Sequence, residues 1–313
     1  MVSRSAQFER RIDQVIATAT GLPTLPSVAA QIIAVVNDEN ATTEAYVNAL
    51  QRDPALVAKI LRVANSPIYG SRRGVESLKQ AVVRLGLRST QSLALSFSLI
   101  SALKHQSAGA LDYTGYWRRC LLSASAGRYL AKRIMPGHEE AVFLASLMQD
   151  LGMLVLDKAV PELYSSLGER QSDHARVEAY ELTQIEVGHT QVGGWMLQEW
   201  GFSERMRQAV VYSHIPLALP EGDHTFVRCV ALSALMADVM EHPDAGFNEL
   251  TATAGQGLQM TAQHVAEIME ELGQSIPALE RIFDTRLLDQ DKLAMISELA
   301  LERLAVIRHK SSV

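Results

Sequence analysis

The sequence is poor in cysteine and in long apolar runs, and each shortage removes a class of protein. Only two cysteines, Cys120 and Cys229, occur among 313 residues, too few for a disulfide scaffold and in keeping with a reduced compartment. Both stand in apolar helical context, where a free thiol serves as a small core residue. No uninterrupted apolar stretch approaches the ~20 residues that cross a bilayer, and the first residues, Met1 to Arg11, lack the apolar core of a signal peptide. A cytoplasmic protein without membrane association is the expectation. Lys and Arg number 29 against 35 Asp and Glu, a formal net charge of -6, so no whole-molecule field draws nucleic acid. There is also no phosphate loop, no dinucleotide fingerprint, no CxxC pair and no nucleophile elbow.

Strand signals are missing too. No segment sustains period-2 alternation, whereas apolar residues recur at helical spacing almost throughout, and the expected fold is all-α. Asp53-Pro54 predicts a helix start, because the carboxylate accepts a free backbone N–H and proline suits the first helical position. Ser77 and Gln80 predict a capping box, with Gly86 as the C-terminal cap. Further helices are expected over Tyr116–Ile134, from Glu139 through Leu147 and beyond, and over Ala175–Leu182, Ile185–Trp200, Ser203–Ser213 and Thr225–Met240. A Ser/Gly/Ala stretch near Gln106 to Ala110 suggests a junction, dividing the chain into a helical subdomain over 1–107, a second over 108–247 and a helical extension over 248–313. The weak stretch Thr251 to Gly257 should precede a C-terminal helical pair. Within that pair, an apolar stripe from Leu293 to Ile307 offers a face to the core or, in a homodimer, to a second copy.

The run from Phe143 to Leu156 is apolar at helix period except for Gln149-Asp150, and a buried polar pair needs a reason. His189, His214 and Asp238 each fall on an expected helix or at its end, placed to converge on Asp150. Gly188, Gly193 and Gly194 inside a helical pattern cost ~1 kcal/mol each relative to alanine and suggest close helix approach. A separate word, Asn65-Ser66-Pro67-Ile68-Tyr69-Gly70 followed by Arg72-Arg73, reads as an exposed turn with stacking and charged groups for a partner or an anionic ligand. The alternative is that Asn65 and Ser66 only satisfy the helix end.

Several words in one order then identify a resemblance. Leu22-Pro23-Thr24-Leu25-Pro26, Asp53-Pro54-Ala55-Leu56-Val57, Leu61-Arg62-Val63-Ala64-Asn65-Ser66 and Ala81-Val82-Val83-Arg84-Leu85-Gly86 together resemble the HDOD family, all-helical relatives of HD-domain phosphohydrolases. The likeness runs from about Leu22 to about His214. It implies an HD-like core in the second subdomain and a bacterial signalling or regulatory role. HD enzymes hold a divalent metal through a His, a His-Asp pair and a distal Asp. By that resemblance the first histidine falls on Arg119, two residues after Trp117, and the second falls on Gln149. Asp150 and the distal Asp238 are kept. The word ending in His189 matches a downstream family motif, and His214 is the second of a histidine pair that some HD relatives use for a second metal.

Two lost ligands oppose metal binding, since an amide is a poor substitute for imidazole and Arg119 brings a permanent cation. The expected reading is a non-catalytic scaffold or partner-binding module, more pseudoenzyme than enzyme, with protein partners in a signalling pathway, no cofactor, and a vestigial site of Arg119, Gln149, Asp150, His189, His214 and Asp238. In it the Arg119 guanidinium pairs with Asp150 or Asp238, because a buried carboxylate needs a partner. The alternatives are a metal-dependent phosphohydrolase with a divalent ion on Asp150, His189, His214 and Asp238, and a nucleotide or anion sensor with Arg119 as the contact.

Overall fold

The structure, a computed structural model, describes residues 4–18, 23–38, 42–69, 74–104, 109–168, 171, 174–215, 219, 224–242, 247–296 and 298. Among these residues sixteen α-helices form and no strand. The first group is α1 (Arg4–Thr18), α2 (Ser27–Asn37), α3 (Thr43–Gln51), α4 (Pro54–Ala64), α5 (Leu78–Leu85) and α6 (Leu87–Leu103). The second is α7 (Tyr113–Ile134), α8 (Glu139–Met148), α9 (Leu151–Ala159), α10 (Pro161–Ser165), α11 (His174–Ile185), α12 (His189–Glu199), α13 (Glu204–Val211) and α14 (Thr225–Glu241). Helices α15 (Phe247–Leu258) and α16 (Ala262–Phe283) close the series.

Local chemistry sets several of these ends. Asp53 Oδ1 accepts the Leu56 N–H at 3.0 Å with Pro54 at the first helical position, which anchors α4. Ser77 and Gln80 form a reciprocal capping box at α5. Gly86 follows with φ +84, a left-handed turn cheap only for glycine, so α6 starts directly where α5 stops.

Elsewhere tertiary packing overrides local pattern. The apolar run over Phe143–Leu156 is two helices, since Gln149 caps the end of α8 and Asp150 the start of α9. The segment expected as one helix from Ile185 to Trp200 breaks at Glu186, φ +60, which frees His189 to open α12. Thr251 to Gly257, expected to be weak, lies inside α15, because Leu250 and Ala254 are fully buried one turn apart and packing outweighs the glycine penalty. The expected junction near residue 108 lies outside the described residues, as does most of the stripe from Leu293 to Ile307; of that stripe Leu293 and Ile296 pack on the core.

One apolar core runs from Ile12 to Ile296. Helix α1 crosses to the second group, with Arg11 bonded to the Ile185 carbonyl and paired with Glu186. Helix α16 wedges between the groups through Phe283, whose ring lies 5.2 Å from Phe97 of α6 and 5.8 Å from Phe143 of α8. The site is positioned by α7, α9, α12 and α14. Helices α9 and α12 touch at backbone distance, since a Cβ on Gly152 would overlap the His189 carbonyl and one on Gly193 would lie 3.3 Å from the Gly152 backbone nitrogen.

Candidate functional site

Arg119 lies on the buried face of α7 beside Cys120, and its guanidinium bridges two elements. Nη1 donates to Asp150 Oδ2 at 2.5 Å and Nε donates to Asp238 Oδ1 at 3.0 Å. Asp150 is 1% exposed, and at the N-cap of α9 its negative charge also faces the positive helix end. Burial opposes the charge on Arg119, but Asp238 and Asp150 outweigh it and hold the guanidinium protonated well above its usual range. The remaining nitrogen, Nη2, has no hydrogen-bond partner among the described residues.

His189 opens α12 and is wholly buried. Its Nδ1 lies 2.7 Å from Glu181 Oε2 on α11, and the same oxygen accepts the His189 backbone N–H at 2.6 Å. Tyr164 donates to the other Glu181 oxygen at 2.6 Å. Burial lowers the imidazole's affinity for a proton, yet Glu181 and Asp150 reverse this and raise it to about 10. His189 is therefore an imidazolium at neutral pH. Its Nε2 faces His214 Nε2 at 3.0 Å, and the two rings meet edge to face.

Asp150 Oδ1, His189 Nε2 and His214 Nε2 lie 3.0 to 3.8 Å apart and form a group spaced as ligands of one ion are. Three ligands with an open position meet the minimum for a catalytic ion, and Glu181 behind His189 is the carboxylate such a ligand usually carries. The residues fit a divalent ion in number and spacing. Two charges oppose it: the proton on His189 must leave, and Arg119 already neutralises Asp150. Asp238 does not join the group and meets it only through the guanidinium, so the expected four-ligand set reduces to three.

Gln149, fully buried, is absorbed by a serine network. Its Nε2 donates to Ser123 Oγ at 2.8 Å, Ser123 meets Ser233 at 3.0 Å, and Ser233 donates to Ser146 at 2.9 Å. Hydrogen bonding across α7, α8 and α14 thus takes up the amide nitrogen, while Oε1 has no hydrogen-bond partner among the described residues.

Arg119, expected in one reading as an anion contact, is 6% exposed and paired with two carboxylates, and the cleft beside it, lined by Arg118, Asp150 and Glu241, holds about 50 Å3. The turn word is also largely internal. Asn65 is exposed but clamps Val75 through reciprocal bonds of 2.8 and 2.7 Å, and Ser66 is buried. Tyr69 donates to Glu140 Oε1, which also accepts Arg128 Nε at 2.8 Å. These side chains hold the first helical group to α7 and α8. Arg72 and Arg73 lie outside the described residues. Glu181 was not singled out from the sequence, although its place four residues after buried Val177 puts it on the core face of α11, where a carboxylate needs a cation.

Solved structures share the architecture: an HDOD domain protein of unknown function from Geobacter sulfurreducens has TM-score 0.70 at 21% identity over 88% of this chain and 98% of its own. A protein from Shewanella amazonensis SB2B named as a candidate phosphohydrolase has TM-score 0.69 at 21% identity, covering 90% of this chain and 98% of its own. A curated Treponema pallidum protein, uncharacterized, is 25% identical over 73% of this chain, which spans 43% of that relative's length. The HDOD domain family matches residues 22–216, a span that takes in Arg119, Gln149, Asp150, His189 and His214, and the chain belongs to that family.

Proposed function

We propose that this chain is a regulatory, partner-binding HDOD module without catalysis, in which a guanidinium stands where HD enzymes hold their metal. The observation that carries the reading is Arg119 bridging Asp150 and Asp238. A buried cation that already balances both carboxylates removes the electrostatic need for an ion. Charge-assisted bonds from Nε and Nη1 also fix the relation of α7, α9 and α14, which suits a scaffold that presents a constant surface to protein partners in a signalling pathway. The test is metal analysis of the purified protein together with turnover of a generic phosphodiester. Substoichiometric metal and no turnover above that of Asp150→Ala are expected. Stoichiometric metal that disappears in Asp150→Ala, accompanied by turnover, would overturn the reading.

A second reading, a metal-dependent phosphohydrolase with a partial site, is favoured by one observation, the spacing of Asp150, His189 and His214. A divalent ion held there would supply Lewis acidity and an activated water. This chain's own part would be to orient His189 through Glu181 and Asp150 through Arg119. Binding requires the His189 proton to leave, so under this reading affinity for zinc or manganese rises steeply as pH climbs toward 10. Affinity independent of pH would remove His189 from any such site.

A further inference from the structure

A second cleft is remote from Arg119. It holds about 550 Å3 and lies between α2 and the start of α6 on one side and the starts of α8 and α13 on the other. Ile33, Leu95, Leu144 and Met206 give it an apolar wall, and Gln91 and Ser92 add polar groups. Such a volume with apolar lining and a few polar groups is typical of a small-molecule site.

Its charges are unusual. Arg88 of α6 and Arg205 of α13 both line it, and neither has an ion pair among the described residues, whereas Arg118, Arg119, Arg128 and Arg207 each hold a carboxylate. Burial, and after it the charge of Arg88, push the Arg205 guanidinium below its usual proton affinity. Arg205 is positioned by stacking 4.3 Å over Phe226. Of the acidic groups in the lining, Glu140 gives Oε1 to Arg128 and Tyr69 while its Oε2 has no hydrogen-bond partner among the described residues, and no ion pair joins Glu140 or Asp38 to Arg88 or Arg205 among the described residues.

Two more features point to an anion. Helix α6 is 17 residues long and starts at Gly86 with no side-chain cap, and Leu87, Arg88 and Ser89 of its first turn line the cleft, at the end of a helix that favours an anion. Tyr46, 1% exposed, lines the cleft, and its hydroxyl has no hydrogen-bond partner among the described residues. Burial pushes that phenol upward, so it remains a donor. A buried donor without a partner is costly.

We propose that this cleft binds a nucleotide-sized phosphomonoester, with its phosphate held by Arg88, Arg205 and the start of α6 and its planar body against the apolar wall. A phosphate pairs with two guanidiniums and relieves their mutual repulsion, and the apolar wall selects against a bare ion. Because the cleft joins the two helical groups, occupancy would tie them together. The site is independent of the Arg119 cluster and rests on neither functional reading above.

The test is isothermal titration calorimetry of the full chain with adenosine monophosphate, guanosine monophosphate, adenosine and inorganic phosphate. Saturable binding of at least one mononucleotide is expected, with adenosine and inorganic phosphate at least about tenfold weaker. Arg88→Gln and Arg205→Gln should each weaken the nucleotide about tenfold or more, given the strength of charge-assisted bonds. Both arginines are exposed, so an unchanged unfolding midpoint will show that the variants keep their fold. Absence of saturable binding by either nucleotide, unchanged affinity in both variants, or inorganic phosphate binding as tightly as the nucleotides would each overturn the proposal.

Discussion

Two of the arginines of helix α7, Arg119 and Arg128, lie nine residues apart, and at 3.6 residues per turn they leave opposite faces of the helix. Arg119 reaches Asp150 and Asp238 inside the second helical group. Arg128 reaches Glu140 and lies 4.5 Å over the Tyr69 ring, and so ties the turn after α4 to α7 and α8. Both are cations satisfied by carboxylates in the interior, and taken alone each is a structural tie. The surroundings differ: His189, His214 and Glu181 converge on the Arg119 cluster, while an aromatic ring and the 3-10 turn Pro67–Tyr69 cover the Arg128 cluster. A buried arginine pair therefore marks a candidate site only where further titratable groups gather around it.

Breaking the two clusters in turn should separate them. The largest loss is expected from Asp150→Ala, which leaves Arg119 and the His189 imidazolium short of a buried counter-charge; about 3–5 kcal/mol of stability should disappear in denaturant unfolding. Equal loss from Asp238→Ala, whose side chain is 31% exposed, would show that Asp150 holds no special place. Arg128→Met should remove about 1.5–3 kcal/mol by leaving Glu140 with Tyr69 alone. If that variant also changed the proton affinity of His189, read by NMR titration, the clusters would be coupled rather than independent.

pH offers a sharper contrast, because only the first cluster contains a titrating histidine. The folded-state value for His189 is about 10 against 6.5 for the free side chain. Its stabilisation is therefore complete below pH 6.5 and is lost as pH rises through about 10. Between those limits stability should fall by up to about 1.4 kcal/mol per pH unit, and His189→Gln should flatten the profile. A wild-type profile that is flat from pH 7 to 10 would refute the imidazolium. The smallest effect belongs to Tyr69→Phe, which deletes one hydrogen bond to Glu140 and should cost about 1 kcal/mol.

Much of the scaffold was legible in the sequence wherever the cause is local. The Asp53-Pro54 start, the Ser77 and Gln80 box and the Gly86 turn rest on side chains a few residues apart. Helix breaks at Gln149-Asp150 and at Glu186 were not legible, because apolar periodicity continues across both. The interruption is made by partners on other helices, Ser123 and Arg119 in one case and the Glu181–His189 pairing in the other. Tyr69 misled for a related reason: an aromatic residue beside a turn looks exposed until the distant carboxylate it donates to is known.

The sequence by itself determined an all-helical protein of the HDOD family, and by resemblance it proposed that Arg119 and Gln149 stand where HD enzymes carry two histidines. Residue identity suffices for that, since an arginine cannot give up its charge to become a ligand. Only the tertiary structure decided how the surviving carboxylates are balanced, that Glu181 and Asp150 gather around His189 and favour its proton, and that two other arginines are left facing a cleft. Pairing, desolvation and repulsion depend on distances of a few ångströms between groups far apart in the chain, and those distances exist only once the helices have packed.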